Sequence, residues 1–174
     1  MSAKADFLVW WLAGLAIFAI SLALHAPLAI DAVPGGILDH QAAPDAARVN
    51  AIQQAWQAAG VLDQARIAMA VDLLFIVVYS FGALKGGRYY RRWPGARLTA
   101  LGWSATVAGS LFFVTDFIET LLQFYQALRF EGSDTLAAIA SSMGPVKMVS
   151  FLASVGVLII ALVWERYAKG VRPS

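Results

Sequence analysis

The stretch FLVWWLAGLAIFAISLALHAPLAI, residues 7–30, decides the fold class of this chain. Its only polar or helix-breaking interruptions are Ser21, His25 and Pro27. As a helix rising ~1.5 Å per residue, these 24 residues cover about 36 Å, more than the ~30 Å hydrocarbon core of a bilayer. A secretory signal has a shorter apolar core of ~7–15 residues behind a basic front. Here Lys4 is offset by Asp6, so the stretch reads as a retained membrane span.

Three further runs extend the pattern. One covers about 64–84, with Asp63 as N-cap and Gly86-Gly87 as the stop. Another covers about 99–128, and the last about 136–167. In this last run Pro145 either kinks one long helix or opens a shorter one, and Ser141-Ser142-Met143-Gly144-Pro145 favours a break. Composition agrees with a lipid environment. Of the 174 residues 60% are hydrophobic and 14% charged, against about 25% charged in soluble domains. The expected fold is an all-α integral membrane domain spanning 1–174, a bundle of four transmembrane helices.

The loops orient it. Lys85, Arg88, Arg91, Arg92 and Arg97 crowd one short connection without an acid, and Arg166, Lys169 and Arg172 follow the last run. The segment from Asp31 to Asp63 holds four Asp and one Arg, and Arg129 is outweighed by Glu131 and Asp134. The positive-inside rule places both termini in the cytoplasm, as in a bacterial inner-membrane protein. Trp10, Trp11, Trp93, Trp103, Trp164, Tyr89, Tyr90 and Tyr167 fall near the same ends, where aromatic belts form. In the outer loop Val49, Ile52 and Trp56 recur at helical spacing opposite Arg48, Asn50, Gln53, Gln54 and Gln57, and Gly60 ends the pattern. An amphipathic helix over about 45–59 is expected, lying on the interface or capping the bundle. Pro34-Gly35-Gly36-Ile37-Leu38-Asp39-His40 reads as a flexible loop.

Charge inside the runs is costly, about 2.5–3.5 kcal/mol per residue on insertion scales, and marks a functional site by default. His25, Asp72, Asp116, Glu119 and Lys147 are the residues concerned. Gly102, Gly109, Asp116 and Gln123 lie seven apart and share a face that close helix approach would bury, with Glu119 beside it. Gly14, Ser21 and His25 form a stripe in the first span, and Asp72, Phe75 and Tyr79 one in the second. Gly144, Lys147, Ser150 and Ser154 form the stripe of the fourth. Counted from the outer ends, His25 and Asp72 lie about 8–12 Å deep and Asp116 and Glu119 about 15–20 Å. Lys147 joins them only if its helix is long. The expectation is one polar cavity reached from the extracytoplasmic side, with ligand-binding residues His25, Asp72, Tyr79, Asp116, Glu119, Gln123, Lys147 and Ser150. Three carboxylates against one Lys cannot stay ionised unaided, so a proton or a cation should complete the site.

Three functions compete. The first is binding or transport of a small cation or amphiphilic ligand, coupled to carboxyl protonation. The second is acid/base catalysis on a lipid-like substrate, for which Asp72, Asp116, Glu119 and His25 are the catalytic candidates. The third is polar glue in a structural or assembly subunit, at ~0.6 kcal/mol per hydrogen bond. Inverted repeats and paired broken helices, the usual marks of a transporter, are missing. A chain this small would have to dimerise to form a translocation path. No cofactor is expected. With no Cys, thiolate chemistry and Cys-ligated zinc are excluded. Glu-x-x-His pairs do not occur, and His25 and His40 alone make neither a zinc site nor a bis-His haem site easy to build. The basic loop is explained by orientation and anionic lipid headgroups, so the expected partners are membrane lipids and not nucleic acid.

Overall fold

The computed structural model describes residues 1–170, and these are all-helical. Four helices are long and apolar enough to cross a membrane: α1 (Ala3–His25), α4 (Leu62–Arg91), α5 (Ala96–Arg129) and α6 (Asp134–Gly170). Two shorter ones, α2 (Ile37–Gln41) and α3 (Ala46–Ala58), fill the connection between α1 and α4. Short links make α4, α5 and α6 run antiparallel in turn. The start of α1 and the end of α6 therefore lie at the same end of the bundle as the α4–α5 link. Arg172, counted above with the basic residues of that end, lies outside the described residues.

α1 packs along α4, α4 along α5 and α5 along α6, which makes α4 and α5 central and α1 and α6 the edges. Small residues set the spacing. A Cβ on Gly14 would lie 2.5 Å from the Tyr79 Cα, so α1 can close on α4 only with glycine there. Gly87 does the same for α5, where an added Cβ would meet the Gly102 carbonyl oxygen at 2.9 Å and the Thr106 hydroxyl. This corrects the expectation that Gly86-Gly87 ends the helix. Both glycines are interior helical positions used for packing, and α4 continues to Arg91. Nor is Asp63 its cap: the helix starts at Leu62, and Asp63 sits in the first turn, where its carboxylate takes the Arg66 guanidinium at 2.7 Å.

The break expected at Ser141–Pro145 does not occur either. α6 runs through Pro145 without interruption. Proline removes the one amide that would bond the Ser141 carbonyl, and the Ser141 and Ser142 hydroxyls bond back to Ala138 and Ile139 carbonyls. Lys147 consequently lies about 20 Å along the helix from Asp134.

The α1–α4 connection is a packed unit. Asp45 caps α3 by accepting from the Arg48 amide at 2.8 Å. At its other end Gly60, with φ +74°, carries a Schellman turn in which Val61 and Gly60 amides bond Trp56 and Gln57 carbonyls. Val49, Ile52 and Trp56 are buried with Leu28, Val33 and Ile37 against Leu62, Met69, Ala127 and Ala137, so α3 caps the bundle end. Gln53, expected on the polar face, is buried as well. Asp134 accepts from the Ala46 amide at 2.8 Å and Asn50 from the Gly132 amide at 2.6 Å, which ties α3 to the α5–α6 link. The segment read as a flexible loop contains α2. Ile37 and His40 are buried there, and the His40 ring stacks on Trp56 with centroids 5.2 Å apart.

Candidate functional site

His25, Asp72, Asp116, Glu119 and Lys147 converge at the end of the bundle covered by α2 and α3. Two groups form. On α1, Ser21 and His25 are one helical turn apart and face α4. The Ser21 hydroxyl donates to Asp72 Oδ1, and His25 Nε2 lies 3.1 Å from Asp72 Oδ2. Across the interior, Lys147 of α6 lies between two α5 carboxylates, 2.6 Å from Glu119 Oε1 and 3.3 Å from Asp116 Oδ1. Asp116 and Glu119 meet the same ammonium because three residues is close to one helical turn. Thr120 donates to Asp116 at 3.4 Å and Gln123 to Glu119 at 3.4 Å. Glu119 is fully buried, and its second oxygen has no hydrogen-bond partner among the described residues.

Between these groups lies a cavity of about 360 Å³. Its polar wall is Ser21, His25, Asp72, Asp116 and Lys147. The rest of the lining is apolar and aromatic: Phe18, Phe75, Phe112 and Phe151, about one turn further in on the same four helices, with Met148 and Leu152. Ile37, Leu38 and Gln41 of α2 roof it. Leu22, Leu38, Met148 and Leu152 are exposed on the outside of the molecule while lining the cavity, so its mouth lies between α1 and α6 under α2. The size falls at the lower end of the ~300–1,000 Å³ usual for small-molecule sites.

The other expected site residues take different places. Glu119 sits behind the wall and holds Lys147, and Gln123 donates to Glu119 rather than facing the cavity. Tyr79 lies beneath the cavity floor. Its hydroxyl donates to Ser154 at 3.0 Å, and its ring packs on Phe75, Phe112 and Phe151. Ser150 is turned away: its hydroxyl bonds the Val146 carbonyl of its own helix, and it lines an external α5–α6 groove. Gly144 has no neighbour close enough to make it a packing site. Arg66 bonds Asp63 and the Ala127 carbonyl and stays out of the cluster. His40 does not turn toward His25 but packs in the loop core, where burial pulls its imidazole down to about 4.

Sequence reasoning missed a second centre at the opposite end. Glu165 is fully buried and accepts from Lys4 and Lys169 at 2.7 Å each, Tyr90 at 2.9 Å and Tyr89 at 3.2 Å. One signal was present: Glu165 is the only acid in α6 after Asp134, with Lys169 one turn on. Around it Arg91 covers the Trp103 ring at 4.4 Å and Arg97 the Trp164 ring at 4.8 Å, so aromatic side chains carry the basic residues of this end.

Chemically, the first group resembles a catalytic triad in membership but not in order. In a nucleophilic triad the imidazole stands between hydroxyl and carboxylate and takes the hydroxyl proton. Here the Ser21 hydroxyl is held by Asp72, and His25 Nε2 stands 3.1 Å from the other oxygen of the same carboxylate without a hydrogen bond to it. That arrangement orients a carboxylate; it does not activate a serine. Electrically, three carboxylates face one ammonium, leaving two negative charges uncompensated when His25 is neutral. No family model, curated protein or solved structure matches the chain.

Proposed function

We propose that the protein is an integral membrane protein with cytoplasmic termini, and that its cavity binds an amphiphile with a cationic head. Uptake of the cation would be coupled to loss of protons from the carboxyls. Membrane insertion is supported by the four long helices and by the apolar belt they expose, including Val9, Leu12, Val77, Phe81, Val107, Leu111, Ile159 and Ile160. Water does not tolerate such a continuous surface. The orientation is supported by the basic residues gathered at the end that carries both termini.

One observation carries the ligand class: the cavity joins a polar tier short of positive charge to a tier of phenyl rings on the same helices, with a mouth rimmed by exposed apolar side chains. An ammonium would replace the missing charge near Asp72 and Asp116, and an alkyl tail would lie against Phe18, Phe75 and Phe151 or pass out between α1 and α6. Binding is favoured over conduction, because below the cavity Tyr79, Ala83, Leu158 and Ala161 are fully buried in the central core. It is favoured over acid/base catalysis on a lipid-like substrate because Asp116 is paired with Lys147 and Glu119 lies behind the cavity wall, so neither carboxyl stands free as an acid or base. Octylammonium is a direct probe. Titrated into the full chain in neutral nanodiscs, it should raise Tm, and octanol should not match that rise. Asp72→Asn and Asp116→Asn should each weaken binding about tenfold, the loss of one charge-assisted contact. Equal responses to octylammonium and octanol would reduce the site to an apolar crevice and sink the proposal.

A further inference from the structure

A second groove lies along the same α1–α6 seam, at the basic end. It encloses about 810 Å³, and its walls are Leu8 of α1 with Ile159, Leu162 and Val163 of α6. Lys4 and Arg166 stand on its rim with Tyr167. The seam is open here because the edge helices meet through long side chains, Phe18 on Phe151 and Lys4 on Glu165, rather than through close backbone packing.

The charge balance beside the groove is unusual. Glu165 accepts two donors on each oxygen: Lys4 and Tyr90 on Oε2, Lys169 and Tyr89 on Oε1. Two lysines thus share one carboxylate whose accepting capacity is filled. Arg166, next in sequence, has no carboxylate within 4.0 Å among the described residues. Lys4 and Arg166, with Glu165 beside them, leave the rim with an excess of about one positive charge over an apolar trough, and Lys169 on the other oxygen of Glu165 adds to the positive field of this end. The buried Glu165 holds Lys4 at the groove edge without cancelling the local field. A snorkelling lysine alone would not need such an anchor.

We infer that this groove holds one anionic glycerophospholipid of the surrounding leaflet, its phosphate at Lys4 and Arg166 and an acyl chain along Leu8, Ile159, Leu162 and Val163. The guanidinium and the ammonium supply charge-assisted donors to phosphate oxygens, and Tyr167 stands at headgroup level. This inference shares only the membrane setting with the proposed function. The octylammonium response belongs to the other cavity and should be unchanged in Arg166→Gln, so either proposal can fail without the other.

The test is native mass spectrometry of the full chain in mild detergent, titrated with dioleoylphosphatidylglycerol or dioleoylphosphatidylcholine. One phosphatidylglycerol per chain should be retained at concentrations where phosphatidylcholine is stripped. Arg166→Gln should weaken retention about five- to tenfold, Arg166→Lys should keep most of it, and Arg129→Gln at the opposite end should have no effect. Retention should also fall as salt rises from 0.05 to 0.5 M, roughly the range over which exposed charges become screened. Equal retention of the two lipids, or an Arg166→Gln protein indistinguishable from the parent, would overturn the assignment. So would a dimer that is split by Leu162→Trp and carries no lipid, since the groove would then belong to a second copy of the chain.

Discussion

At the residue scale, Lys147 shows how a buried charge is held. Its ammonium touches Glu119 at 2.6 Å and Asp116 at 3.3 Å in a region from which water is largely excluded. A buried pair adds little net stability over an apolar replacement, but removing one partner strands the other charge, at about 3–5 kcal/mol. Lys147→Met is therefore expected to destabilise strongly, while Lys147→Met combined with Asp116→Asn and Glu119→Gln recovers most of the loss. Unfolding by denaturant in lipid–detergent mixed micelles measures the cycle. A Lys147→Met protein as stable as the parent would show that the contact contributes nothing. The positions of Asp116, Glu119 and Lys147 were legible as charges inside apolar runs. That Glu119 stands behind the cavity wall was not, because a helical wheel says which residues share a face and not how deep each is set in a neighbour's side chains.

At the scale of elements, α2 is too short to be stable alone and depends on what it packs against. Its His40 ring is buried against Trp56, with neither nitrogen hydrogen-bonded among the described residues, and α2 forms the roof of the cavity. Burial holds His40 neutral down to about 4, whereas its ordinary value when the loop opens is 6.5. The linkage sign follows from this depressed value: the closed state is fully favoured above about pH 6.5 and loses stability as pH falls toward 4. The total is about 3 kcal/mol. Hydrogen exchange of the 33–60 amides should therefore accelerate between pH 6.5 and 4, after correction for intrinsic rates, and His40→Phe should abolish that slope. An identical slope in His40→Phe would place the sensitivity elsewhere. The sequence suggested α3 by the spacing of Val49, Ile52 and Trp56 and its end by Gly60. It concealed α2, because Ile37 and His40 belong to a core assembled from Leu28, Trp56 and three other helices.

At the scale of the molecule, the two polar centres lie at opposite ends of an apolar core, and the proposed orientation puts the cavity on the outer side. The chain has no Cys, so single cysteines can be introduced without background. A membrane-impermeant maleimide added to intact cells should label Gly60→Cys and leave Ser2→Cys unlabelled until the membrane is permeabilised. The reverse pattern would invert the topology and turn the cavity toward the cytoplasm.

Four long apolar helices, the gathering of basic residues in particular links and the burial of Asp116 and Glu119 followed from residue order alone. Each is a sum over a local window, and hydrophobic transfer is close to additive along the chain. Partnership is different. Whether Ser21 meets Asp72, whether Gly87 ends a helix or seats it against Gly102, and whether Pro145 breaks α6 depend on how the helices rotate and approach one another. So does the union of Glu165 with Lys4, 161 residues away, at 2.7 Å. The tertiary structure also decided the opening of both cavities along one seam. That opening comes from α4 and α5 taking the central positions, which leaves α1 and α6 to meet only through their longest side chains.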